Sequence, residues 1–111
     1  MTMDIQVESV GDVRIVHVKG KVTFEYCPAF QRRLDSILGA GVRRVVIDFK
    51  EVPFIDSSGI GEVLRLFKKM RDANGEVVLA NPNRKLRDLF SMYRFNQFMK
   101  ITEDTESDAN D

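Results

Sequence analysis

Polar and apolar residues alternate through the first eighteen positions of the chain. In "DIQVESV", Ile5, Val7 and then Val10 are separated by polar residues, the two-residue period of a half-buried strand. "VRIVHV" continues the pattern with Val13, Ile15 and the neighbouring Val16 and Val18. Gly11-Asp12 between them has the composition of a tight hairpin turn, so two antiparallel strands are expected to open the fold.

The period then changes. In "YCPAFQRRLDSIL", Phe30, Leu34, Ile37 and Leu38 lie on one face of a helix, with Pro28 acceptable in its first turn and Gly39 and Gly41 ending it. The short apolar run Val45, Val46, Ile47 in "RRVVIDF" predicts a strand covered on both faces. Ile60, Val63, Leu64, Phe67 and Met70 line a second helix, closed by "DANG" at Gly75, and "EVVLA" predicts another buried strand. Asn81 or Asn83 can cap a third helix in which Leu86, Leu89, Phe90 and Tyr93 share a face, and "QFMKI" suggests a short edge strand. The predicted order is β-β-α-β-α-β-α, with a final strand possible. It implies an α/β fold with a mixed, mostly parallel sheet of four to five strands. In such sheets functional loops gather at the carboxyl ends of the strands.

Composition narrows the class. A chain of 111 residues suits one domain, and a hydrophobic fraction of 43% is enough for a core. No apolar run approaches the ~20 residues of a membrane span, and "MTMDIQVESV" lacks the pattern of a secretion signal, so a cytoplasmic protein without membrane contact is expected. The single cysteine, Cys27, cannot make an internal disulfide and reads as a small residue near a helix start. Formal net charge is zero, but "ITEDTESDAND" holds five acids and no base, leaving residues 1–100 at about +5. Residues 102–111 are expected to form a solvated, disordered acidic tail after a domain spanning 1–101. An acidic arm screening a basic face is the sharper reading of the same residues.

The chemistry concentrates in "VPFIDSSGIGEVLRLF", where a strand end passes Asp56, Ser57, Ser58, Gly59 and Gly61 into a helix. A serine nucleophile needs a base, yet the sole histidine, His17, lies in mid-strand, where it reads as a residue on a solvated or partly covered face. The turn is also not a G-x-S-x-G elbow, which argues against a hydrolase and for no catalytic residue. One histidine and one cysteine without a close carboxylate cluster supply no metal site. The helix start could hold an anion, but a P-loop lysine is missing and Asp56 would repel phosphates, so nucleotide binding stays open and no cofactor is expected. The basic residues from Arg65 to Arg94 interleave with apolar stripes and read as solvated helix faces rather than a nucleic-acid surface. Asp56, Ser57 or Ser58 can cap the helix, while consecutive hydroxyls before Gly59 also leave one accessible at its start.

The stretch from "VVIDFKEVPFIDSSGIGEVLRLF" through "GEVVLANPNRKLRDLF" to "FMKI" resembles a STAS domain of the anti-sigma factor antagonist type. The carrying motif is D-S-S-G-I-G between an apolar strand and a helix, and "VRIVHVKGKVTF" resembles the family's opening strands. The resemblance covers roughly residues 4 to 101. It implies a bacterial, non-enzymatic regulator of transcription that binds an anti-sigma factor serine kinase and so releases a sigma factor. It also implies phosphorylation by that kinase at the serine after the aspartate, here Ser57, with a serine phosphatase restoring it. Spacing alone does not choose between Ser57 and Ser58; the family pattern does. Asp56, Ser57, Ser58, Gly59, Ile60 and Gly61 match the motif and are the implied partner contacts, with the glycines keeping the surface low. Thr23 stands where many members carry aspartate, implying a different polar contact on that face. A rival implication of the same fold is an accessory STAS subunit of a transport system such as a lipid-exporting ATPase, or another STAS signalling scaffold.

Overall fold

The computed structural model describes residues 3–39 and 41–103. Of the expected tail, residues 102–111, two residues are described: Thr102 ends the last strand and Glu103 accepts from the Arg87 guanidinium at 3.0 Å, while 104–111 lie outside the described residues. Strand β1 (Asp4–Val10) and strand β2 (Val13–Lys19) form the opening hairpin. Gly11 turns it at φ +59, a left-handed value that glycine adopts without steric cost. Helix α1 (Cys27–Ile37), strand β3 (Arg44–Glu51), helix α2 (Ser57–Asp72), strand β4 (Glu76–Ala80), helix α3 (Arg84–Met92) and strand β5 (Lys100–Thr102) follow. Short 3₁₀ turns occupy Phe24–Tyr26 and Phe95–Gln97. The expected edge strand therefore forms, but only over three residues, because the stretch before it winds into the second of these turns.

The strands lie in the sheet in chain order, β1-β2-β3-β4-β5. The first pair is antiparallel and the other three are parallel, each joined by a helical crossover. Crossovers of one hand between consecutive strands place their helices on the same side of the sheet. The core shows this arrangement. Val16, Val18, Val45, Ile47, Phe49, Val77 and Leu79 pack with residues of all three helices, including Phe30, Leu34, Val63, Leu66 and Phe90. The other face carries a separate buried cluster of Val13, Ile15, Val46, Val78 and Ala80. Both faces of β2, β3 and β4 are thus apolar at their centres, whereas β1 is an exposed edge strand.

The structure corrects several details. On α2 the buried face is Gly59, Ile60, Val63, Leu66 and Met70, with Leu64 and Phe67 only half-buried at its flank. Leu66 is 1% exposed, so the stripe facing the core is turned about the helix axis from the one the spacing selected and is not broader than it. Asn74 rather than Gly75 adopts the left-handed conformation that ends α2. Asn83 caps α3, accepting from the Leu86 amide at 2.8 Å, while Asn81 sits at φ +57 and donates to Asp48 Oδ1. Tyr93 lies past the end of α3 and is exposed.

Leu66→Ala should lower unfolding free energy by about 2–5 kcal/mol, as expected for a truncated core leucine. Leu64→Ala, at the half-buried flank, should cost roughly half of that or less. Urea melts of the two variants against the parent check the order, and equal losses would contradict the orientation of α2.

Candidate functional site

The D-S-S-G-I-G stretch occupies the carboxyl end of the parallel sheet, where β3 passes through residues 52–56 into α2. The loop after β2 runs beside it and the two are stitched together. Gly20 N donates to Glu51 O at 3.0 Å, Val22 N to Phe54 O at 3.0 Å, and Asp56 N to Val22 O at 3.2 Å. Val22 and Ile55 form an isolated parallel bridge, both buried, so the β2–β3 pairing continues past the strand ends.

Asp56 is the N-cap of α2, and both of its carboxylate oxygens are used. Oδ1 accepts from the Gly59 amide at 3.0 Å, and Oδ2 accepts from the Phe24 amide at 2.9 Å. Of the three candidate caps, the aspartate holds the helix start and the serines do not. A carboxylate in this position also complements the positive end of the helix, the role a bound anion would otherwise fill. The arrangement is a cap rather than a phosphate cradle.

With Asp56 capping, Ser57 becomes the first helical residue and is exposed, while Ser58 is half-buried. Ser58 lines a shallow concavity of about 400 Å³ with Phe24, Cys27, Pro28, Gln31 and Glu62. Thr23 lies half-buried in the adjoining loop, its carbonyl accepting from the Tyr26 amide at 2.9 Å. Gly61 is exposed, and a Cβ there would meet nothing within 4 Å.

Two of the implied contact residues are not on the surface. Ile60 is 4% exposed and belongs to the core. Gly59 is buried, and a Cβ there would lie 2.5 Å from Ile55 Cγ1 and 2.7 Å from the Val22 carbonyl. Its role is to let the helix start press against the Val22–Ile55 bridge, not to keep an outer surface low. Both residues position the site from beneath.

The sequence reading missed the aromatic rim. Phe24, 76% exposed, borders the concavity that Ser58 lines, and Phe54, 37% exposed on the other stitched loop, lies under the Lys85 ammonium of α3 at 5.3 Å. Phenylalanines in an apolar pattern read as core, so only the observation that Phe24 falls between a strand and a helix, on neither face, could have flagged it. Cys27 is inert by contrast. Burial, with the Asp56 and Glu62 charges nearby, pushes its thiol up to about 11, far from a reactive thiolate at neutral pH. Among the described residues no group of metal-ligating side chains forms, and no helix is long and apolar enough to cross a membrane.

Gly59→Ala should destabilise the domain by about 1–3 kcal/mol, because the methyl meets backbone that cannot yield. Gly61→Ala should be neutral or stabilising by up to ~1 kcal/mol, since it adds helix propensity in open space. Thermal melts of the pair read the difference, and similar effects at both positions would contradict the close packing at Gly59.

Comparison with known proteins agrees with this geometry. A family model described as the STAS domain matches residues 4–109. A STAS-domain containing protein of Pseudomonas aeruginosa is 32% identical over 92 residues, covering 83% of this chain and 90% of that protein. The anti-sigma F factor antagonist of Paenibacillus polymyxa is 26% identical over 102 residues, covering 91% of this chain and 87% of the relative. The Bacillus cell fate determinant SpoIIAA, solved in its phosphorylated form, has the same fold, with a TM-score of 0.76 over 96% of this chain and 98% of that one at 21% identity. Matched by the family model over nearly its whole length, the chain belongs to the STAS domain family.

Proposed function

We propose that this protein is an anti-sigma factor antagonist, switched by phosphorylation of Ser57. Unphosphorylated, it binds an anti-sigma factor serine kinase and thereby frees a sigma factor. Phosphorylation by the kinase ends the binding, and a serine phosphatase restores it. The protein itself supplies a surface and a hydroxyl rather than catalysis. The observation that carries the reading is the placement of Ser57, exposed at the first position of a helix whose start is fixed by Asp56. A kinase needs an accessible hydroxyl, and a switch needs that hydroxyl inside the docking surface. The names of relatives such as the anti-sigma F factor antagonist support the assignment of partner class.

Asp56, Ser57, Ser58, Gly61 and Thr23 are the members of the motif region that a partner can touch, and the Phe24 ring extends that surface. Aromatic side chains, phenylalanine among them, are enriched at the cores of protein interfaces. Phosphate adds about −1.5 to −2 charge. At the helix N-terminus that charge is favoured by roughly 0.3–1 kcal/mol. The neighbouring Asp56 carboxylate opposes it, so the fold itself is little changed by the modification.

Mass spectrometry after incubation with the cognate kinase and ATP should find the phosphate on Ser57. Ser57→Ala should retain kinase binding and Ser57→Asp should weaken it. Phe24→Ala should weaken binding by about 2 kcal/mol or more, the size of an interface hot spot, while leaving the melting temperature unchanged. Parent-like binding by both serine variants would remove the switch from this position. Amide exchange should differ between phosphorylated and free forms only near residues 56–64, and wider loss of protection would show that the modification acts through the fold.

A further inference from the structure

His17 stands on the sheet face opposite the helices, and both of its ring nitrogens meet carboxylates. Nε2 lies 2.6 Å from Glu8 Oε1, and Nδ1 lies 2.7 Å from Asp48 Oδ2. A carboxylate only accepts hydrogen bonds, and a neutral imidazole has one N–H to donate. The two short contacts are therefore satisfied together only by the doubly protonated ring. Glu8 belongs to β1, the exposed edge strand, and Asp48 to the central strand β3, so the ring spans from edge to centre across its own strand.

We propose that His17 is a proton-dependent clamp on the sheet: as an imidazolium it ties Glu8 of β1 to Asp48 of β3, and its deprotonation frees one carboxylate and loosens β1.

The surroundings favour the charged ring. Glu8 of β1 and Asp48 of β3 are the charges in contact with the ring, and Asp4 of β1, Lys50 and Glu51 of β3 and Lys19 of its own strand line the surface hollow beside it. Four acids against two lysines leave the local balance negative. Asp48 is the firmest of these partners, 7% exposed and held by the Asn81 side-chain amide at 3.0 Å and the Lys50 backbone amide at 3.0 Å. Burial alone would raise the Asp48 carboxyl, but these donors together with His17 outweigh it and hold the group below its ordinary value. For His17, burial pulls downward and is outweighed by the bonds to Asp48 and Glu8, so the ring titrates above 6.5. In the unfolded chain it titrates near its ordinary value. The clamp's contribution to stability is thus complete below about pH 6.5 and is lost as pH rises through the higher folded-state midpoint.

The sole histidine gives a single imidazole signal, which makes the test direct. The ring ¹⁵N shifts of the intact protein should titrate with a midpoint above the ordinary 6.5, with both nitrogens protonated on the acid side of it. Glu8→Gln, at an exposed partner, should lower that midpoint. Amide protection across residues 5–10, corrected for intrinsic exchange, should fall relative to β4 as pH rises through the midpoint. The stability of His17→Gln should be flat over the same interval. If His17→Gln does not fold, the Glu8→Gln titration carries the test alone. A midpoint at or below 6.5, or unchanged protection of β1 across the titration, would overturn the clamp.

Discussion

The Asp56 carboxylate is the interaction on which the site depends. One oxygen closes the first turn of α2 through Gly59, and the other holds the amide of Phe24 on the loop that follows β2. Two segments more than thirty residues apart in sequence are thereby fixed to one group. Hydrogen bonds to a charged acceptor contribute about 1.5–3 kcal/mol each, and a half-buried carboxylate keeps much of that. The geometry has a precondition. The helix can start this close to the loop only because Gly59 lacks a side chain where Ile55 and the Val22 carbonyl already stand. Cap, glycine and bridge form one unit, and it places Ser57 as the first, exposed residue of the helix.

The strand order determines why this unit sits where it does. Consecutive parallel strands bring the loops after β2, β3 and β4 to the same end of the sheet, side by side. On the helix side of the sheet, Asp56 joins the first two of those loops. Near the ends of β2, β3 and β4, on the opposite side, Asp48 collects His17, the Lys50 amide and Asn81. Asn81 reaches it by taking a left-handed backbone conformation, which short polar side chains tolerate best. Two aspartates, eight residues apart in sequence, thus tie the same end of β3 to its neighbours on its two faces.

Most of the fold was legible because hydrophobic period reports it directly. The hairpin, the three helices and the buried strands follow from Ile5 and Val7, from Phe30 and Leu34, and from the runs at Val45 and Val77. Position on the helix was less legible. Leu64, Leu66 and Phe67 are all apolar, so spacing alone did not fix which side of the stripe turns to the sheet, and the set with Leu64 and Phe67 passed over Leu66. The site was half legible. Asp56, Ser57 and Ser58 were offered as caps on equal terms, because side-chain type alone does not fix which residue turns first out of the helix. The inward role of Gly59 depends on Ile55 and Val22, and Val22 lies far away in the chain. His17 read as an isolated strand residue for the same reason: its partners, Glu8 and Asp48, are 9 and 31 positions away. Networks assembled by topology leave no local signature.

Rigidity at Asp56 bears on how a modification at Ser57 could act. If the helix start were loose, a phosphoserine could swing away from a docked partner, and part of the interaction would survive. With the cap holding both Gly59 and Phe24, a phosphate on Ser57 would stay where the hydroxyl is, and a docked surface would have to accommodate it. Added bulk, desolvation of a dianion and repulsion from any opposing acid then fall on the complex alone. Like charges juxtaposed at an interface cost several kcal/mol, and each ~1.4 kcal/mol is a tenfold change in affinity. A hundredfold release therefore needs no movement in this domain. Under the proposed switch, the same cap that fixes the surface for a partner would make a single phosphate on it decisive.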